Sequence, residues 1–140
     1  MHYLDTSALV ALYFPEAMSA KVQKLCSATP ALAVSALSEV ELYSAVSRRV
    51  RIDELSEEDA QRVLSLFQVH VSEGSYRMIA VGQRDYALAR DWIATFHTPL
   101  RTLDALHLAV AFSNGLCVVT ADRLLAKSAK HFGIKHQLIS

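Results

Sequence analysis

LCVVTADRLLAKSAKHFG, residues 116–133, decides the fold class. Its first five residues form a short apolar run rich in β-branched side chains, which reads as a buried strand. Asp122 then stands where a helix N-cap belongs, and Gly133 supplies a stop after RLLAKSAKHF. HQLI at 136–139 follows as a last strand. Toward the N-terminus the same alternation recurs. HYL at 2–4 reads as a strand ending at Asp5, a helix from about Ser7 stops before Pro15, and a second helix runs from about Glu16 to Ser27. LAV at 32–34 is a short buried strand, followed by a helix from about Ala36 to Val50. Ser56 with Asp59 resembles a capping box; the helix it opens is expected to end near Phe67, before a strand at Gln68 to Val71. Tyr76 to Phe96 reads as helical with an interruption near Gly82, and Thr102 caps a helix that runs through Phe112 and is closed by Gly115.

Short β-branched runs separated by helices are the pattern of a parallel sheet covered on both faces, so the chain is expected to be an α/β domain. Its 140 residues suit a single domain, and a hydrophobic content of 52% favours a well-filled core or an oligomer interface. No apolar segment reaches the length of a membrane span, and Asp5 so near the start argues against a secretory signal. Cys26 and Cys117 are too few for a disulfide framework or a thiolate zinc site, and read as reduced packing residues of a cytoplasmic protein. Fourteen basic residues balance fourteen acidic ones, so the chain lacks the strongly basic balance that advertises nucleic acid. Charge is uneven locally: Arg48, Arg49 and Arg51 cluster, as do Lys127, Lys130, His131, Lys135 and His136. Solvated helix ends account for such clusters without a ligand.

Four acids sit inside or beside apolar runs: Asp5 in YLDTSALVAL, Glu41 in LSEVELYSAV, Asp104 in LDALHLAVA and Asp122 in CVVTADRLL. Burying an unpaired charge costs several kcal/mol, so such carboxylates need cations or a metal. Ligands of open parallel sheets bind beyond the carboxyl ends of the strands, where Asp5 and Asp122 fall, and helices carrying Glu41 and Asp104 can begin at that edge. Each acid also has a plainer reading. Asp122, Asp5 and Asp104 are all suited to helix N-termini. Glu41 shares a helical face with Leu37, Ser44, Ala45 and Arg48, whereas Glu39 points toward Leu42, Tyr43 and Val46; because this helix is apolar nearly all round, periodicity does not choose between the glutamates. Arg48 can meet a phosphate or pair with Glu41. His107, one turn from Asp104, is expected to be hydrogen-bonded between elements rather than to ligate a hard cation.

DTSAL at 5–9, SALSEVEL at 35–42, LDALHLAVA at 103–111 and VVTAD at 118–122 occur in the order and approximate spacing of PIN domains. They resemble most particularly the VapC ribonuclease toxins of prokaryotic toxin-antitoxin pairs. No single motif is specific; the four in register, spanning Tyr3 to Ile139, carry the resemblance. It implies one PIN domain over residues 1–140, a Rossmann-like parallel sheet flanked by helices. It also implies a Mg²⁺ or Mn²⁺ pocket formed by Asp5, Glu41, Asp104 and Asp122 as metal-binding and catalytic residues, which selects Glu41 over Glu39. Thr6, Ser7 and Thr120 match polar positions that line or orient such pockets. The implied activity is metal-dependent endoribonucleolytic cleavage, with a small cognate antitoxin as partner and a homodimer as the expected assembly. Two other classes place acids similarly. A phosphatase of the haloacid dehalogenase type needs a second aspartate where this chain has Ser7, and a receiver-like module would hold Mg²⁺ without nuclease activity; within nucleases, a DNA-directed PIN domain is the alternative.

Overall fold

Tyr3 and Leu4 are adjacent and both fully buried, so their strand must lie in a sheet covered on both faces. That strand, β1 (His2–Leu4), is the centre of a five-stranded parallel sheet in a computed structural model describing residues 1–140. The chain runs β1, α1 (Thr6–Tyr13), α2 (Ser19–Ala28), β2 (Leu32–Ser35), α3 (Ala36–Arg51) and α4 (Glu57–Ser72). It continues through β3 (Arg77–Ile79), α5 (Gln83–Ile93), α6 (Thr102–Ser113), β4 (Cys117–Thr120), α7 (Arg123–His131) and β5 (His136–Leu138). The strand order is β3-β2-β1-β4-β5, every neighbouring pair parallel. The order therefore switches beside β1, with β2 on one side and β4 on the other, and such a switch opens a crevice at the carboxyl ends of the central strands.

Alternation along the strands builds two cores. Leu4, Val34 and Val119 face a layer that includes Leu9, Val22, Leu42 and Phe67 of α1 to α4. Tyr3, Ala33 and Val118 face the other side, against Ala89 of α5, the apolar run of α6, and Leu125 and Ala129 of α7. Helix α6 is buried from Ala105 to Ala111, which explains why its sequence is apolar nearly all round. The α/β reading and the parallel sheet are thus found as expected.

Four local expectations are corrected. Gln68 to Val71 is the end of α4 rather than a strand, because Ala60, Val63, Leu64, Phe67 and Val71 meet the core at helical spacing while Leu66 and Val69 are exposed. The third strand lies instead at Arg77–Ile79, within the segment expected to be helical, where pairing with β2 satisfies its backbone. Gly82 does interrupt that segment as the N-cap of α5, its N–H donating to Asp85 Oδ2 at 2.9 Å. The N-cap of α6 is Arg101 and not Thr102, with no side-chain cap, and α2 begins at Ser19, since Ser19 Oγ accepts from the Glu16 N–H at 2.9 Å and donates to Phe14 O at 3.0 Å in the turn before it. Gly115 and Gly133 both have positive φ, as helix-ending glycines should.

The helical reading of residues 60–71 has a direct test. Phe67→Ala removes a fully buried ring and is expected to cost about 3–5 kcal/mol in urea unfolding. Val69→Ala, two residues on but exposed, should stay within about 0.5 kcal/mol; on a strand the two positions would share a face and respond alike.

Candidate active site

The site is assembled where β1 and β4 leave the sheet. The Asp5 N–H donates to Val119 O at 3.1 Å, extending the ladder one residue beyond β1. The Asp5 side chain is 4% exposed and receives three donors: Thr120 Oγ1 to Oδ2 at 2.5 Å, Ser7 Oγ to Oδ1 at 2.7 Å and the Ala8 N–H to Oδ1 at 2.9 Å. Ser7 Oγ accepts in turn from the Ala121 N–H at 2.9 Å, and Thr120 Oγ1 from the Asp122 N–H at 2.9 Å. Asp122 caps α7 through Oδ1, which accepts from the N–H groups of Leu124 at 2.8 Å and Leu125 at 3.3 Å. Asp5 and Asp122 are thus both helix caps, and both belong to one network centred on Thr120.

Glu41 is held from two directions. Its Oε1 accepts from Thr6 Oγ1 at 2.8 Å and meets His107 Nε2 at 2.5 Å. His107 is 3% exposed, and its Nδ1 lies 2.6 Å from the Tyr3 hydroxyl. Nε2–H donates to Glu41, while Nδ1 accepts from the Tyr3 hydroxyl in the neutral ring and donates to its oxygen in the imidazolium, so both contacts are satisfied in either state. Tyr3 also reaches Ser35 Oγ at 2.9 Å and Ser38 Oγ at 3.3 Å, the two serines that box the start of α3. Glu39 instead accepts from the exposed Gln68 side chain at 3.0 Å, away from this network. Arg48 is exposed and makes no ion pair, so it is not the partner of Glu41.

Asp104, in the first turn of α6, differs from the other three. It is half-buried, and neither of its oxygens takes a hydrogen bond or a salt bridge from the protein. Burial raises its pKa, the charge of Asp122 raises it further, His107 opposes this, and Asp5 and Glu41 add to the rise. Burial also raises Asp5 above the ordinary carboxylate range, against the hydrogen bonds from Thr120, Ser7 and Ala8. For Glu41 burial acts upward too, but the hydrogen bond and charge of His107, with the Thr6 hydrogen bond, outweigh it and leave the carboxyl lowered.

All four predicted acids therefore share one sheet edge, with Thr6, Ser7 and Thr120 as their supports, and no lysine or arginine pairs with any of them. No three carboxylate, imidazole or thiol groups close tightly on one point. Hydrogen bonds to the protein occupy both oxygens of Asp5, Oδ1 of Asp122 and Oε1 of Glu41. The donor set is oxygen-rich and short of cations, the composition that suits a hard divalent ion retaining several waters. Tyr3 has no distinctive sequence signal; only the position of His107 one turn past Asp104 points toward it.

The raised pKa of Asp104 gives a signed expectation. A carboxyl whose native pKa exceeds its unfolded one is stabilising to keep protonated, and native stability falls as pH rises through that window. In chelator at pH 7.5, Asp104→Asn should therefore melt higher than the native protein, and the difference should shrink as pH falls below about 4, where the unfolded carboxyl also protonates. Thermal melts across this range check it; a lower melting temperature for the variant at pH 7.5 contradicts the like-charge cluster.

The PIN domain family matches residues 2–131. Among solved structures, VapC20 of Mycobacterium tuberculosis, described as a sarcin-ricin loop cleaving toxin, superposes with a TM-score of 0.74 at 18% identity, covering 91% of this chain and 95% of that one. FitAcB of Neisseria gonorrhoeae gives 0.71 at 17% identity, over 97% and 96% of the two chains. VapBC2 of Rickettsia felis, solved on a promoter DNA fragment, gives 0.69 at 18% identity over the whole of both. No curated protein sequence matches, and at these identities the structural likeness speaks for the fold. With 130 consecutive residues matched and the sheet order and site edge in place, the chain belongs to the PIN domain family.

Proposed function

We propose that this PIN domain is a metal-dependent endoribonuclease and the toxin of a toxin-antitoxin pair. The observation that carries the reading is Asp104: a half-buried carboxylate with no protein partner, facing the charges of Asp122, Asp5 and Glu41 at the ligand-binding edge of the sheet. A cation relieves that repulsion, and the native fold retains the repulsion without one. The structural relatives support the class, since one is a toxin that cleaves the sarcin-ricin loop and another is a toxin-antitoxin complex.

Asp5 and Asp104 would hold Mg²⁺ or Mn²⁺ directly or through water, with Glu41 and Asp122 completing the site. When bound, such an ion lowers the pKa of a water, offsets phosphodiester charge and stabilises the leaving oxygen. The chain supplies the positioning. Thr120 and Ser7 lock the Asp5 rotamer, and Thr6 and His107 occupy Oε1 of Glu41 while leaving Oε2 without a protein partner. With Oε2 free, Glu41 would orient an attacking water for in-line displacement that leaves a 5′-phosphate and a 3′-hydroxyl. Arg48, exposed and unpaired about two turns beyond Glu41 on α3, offers a contact for a flanking phosphate. The assembly is a homodimer in the cytoplasm, silenced by a small antitoxin that sends a basic side chain toward Asp5 and Asp104.

Purified protein should cut single-stranded RNA in Mg²⁺ or Mn²⁺, cut DNA poorly, and stop in chelator. Asp5→Asn and Asp104→Asn should each slow cleavage by more than the roughly 10–100-fold that loss of an outer-sphere support costs, while Thr120→Val should fall within that range. Unchanged circular dichroism must accompany each loss, and full activity in chelator or in either aspartate variant defeats the assignment.

Expression in a host that contains the target RNA should arrest growth, and co-expression of the antitoxin from the neighbouring reading frame should restore it. Asp104→Asn should be harmless. Growth unaffected by protein that is active in vitro counts against the toxin reading.

A further inference from the structure

A cavity of about 150 Å³ lies between the α5–α6 connection and α7, opening beside Asp104 and Asp122. Pro99 and Arg101 line it from the connection, and Leu124 and Ser128 from α7. Ser128 is the informative member. It is 1% exposed, and its hydroxyl has no hydrogen-bond partner. A serine inside a helix can bond back to the carbonyl one turn earlier, and a buried hydroxyl without a partner is costly. A polar edge of a ligand in the cavity supplies what the protein withholds. Size and lining narrow the ligand: a cavity of this volume accommodates a benzene-sized ring, and the apolar side chains of Pro99 and Leu124 suit the faces of such a ring. Arg101 is exposed and without an ion pair at the rim.

Helix α7 adds an independent feature. Arg123, Lys127 and Lys130 recur at the spacing of one helical face, all exposed and all unpaired, next to the face carrying Leu124 and Ser128. They form a basic stripe leading away from the acidic edge, in a chain whose net charge is zero. Such a stripe follows a phosphate backbone.

We infer that this cavity is a subsite for one pyrimidine nucleoside next to the scissile phosphate, read by the Ser128 hydroxyl, with Arg101 and the α7 stripe on the adjoining backbone. The inference rests on the nuclease reading for what the nucleoside is attached to, and on the cavity alone for the nucleoside itself. Free nucleosides therefore test it without turnover and without phosphate repulsion. In chelator, cytidine and uridine titrated into the ¹⁵N-labelled full chain should shift the amides of Arg101, Leu124 and Ser128 saturably, with adenosine and guanosine binding more weakly. Ser128→Ala should weaken pyrimidine binding about five- to tenfold, the value of one hydrogen bond. Leu124→Ser, at an exposed position where folding is not at risk, should weaken it as well. No saturable shift at these amides, purines binding as tightly as pyrimidines, or Ser128→Ala binding unchanged each overturn the subsite. RNA cleavage measured beside the titration separates the two readings. Metal-dependent cleavage without nucleoside binding removes the subsite and leaves the nuclease; pyrimidine binding without cleavage under any divalent ion does the reverse.

Discussion

The Asp5 carboxylate, locked by Thr120, Ser7 and the Ala8 N–H, is the interaction on which the site edge depends. It joins the ends of the two central strands, starts α1, and through Thr120 and the Asp122 N–H begins the turn into α7. A carboxylate 4% exposed is tolerable only when its lone pairs are filled, and three donors, one at the end of β4 and two in the first turn of α1, do that. Capping and site-building are therefore not competing explanations for Asp5 and Asp122. The same bonds that satisfy helix termini hold the acids at one place.

Asp104 supplies the contrast. Donors surround the other three acids, while Asp104 projects from an uncapped helix start with repulsion as its main electrostatic environment. Sites that bind cations commonly carry this kind of instability, because the charge arrangement that favours the ion disfavours the empty fold. Removing the charge should improve the fold and remove the proposed function, the trade expected of a site and not of a structural salt bridge.

A second network runs through the interior. Ser35, Ser38, Tyr3, His107, Glu41 and Thr6 form a continuous chain of hydrogen bonds from the start of α3 across β1 to α6 and back to α3. Its buried hydroxyls and both imidazole nitrogens have partners, so the network is inexpensive to bury and rigid once formed. It leaves Oε2 of Glu41 as the free end, aimed by partners on two other helices, Thr6 of α1 and His107 of α6. The chain thereby invests its buried polar groups almost wholly at one edge of the sheet.

Much of this was legible in the residues. Strand-length apolar runs at 2–4, 32–34 and 116–120, with helices between them, specify a parallel sheet, because a run buried on both faces has no other common use. The acids at Asp5 and Asp122 were placed correctly because strand ends and caps are local features. What lay beyond reach was whatever depends on a distant partner. QVHV at 68–71 and RMI at 77–79 exchange helix and strand because burial of Phe67 and pairing with β2 outweigh β-propensity. Periodicity left Glu39 and Glu41 undecided since α3 is apolar nearly all round, and only the packing of α6 brings His107 to Glu41. Tyr3 reads as an ordinary strand residue until that packing is known, and Ser128 as an ordinary helix residue until the α5–α6 connection closes a cavity over it. Sequence by itself determined the element types that repeat with a short period and the acids that cap them; tertiary structure alone decided which polar groups meet, because those contacts join residues 32 to 115 positions apart, and no local pattern encodes a partner at that distance.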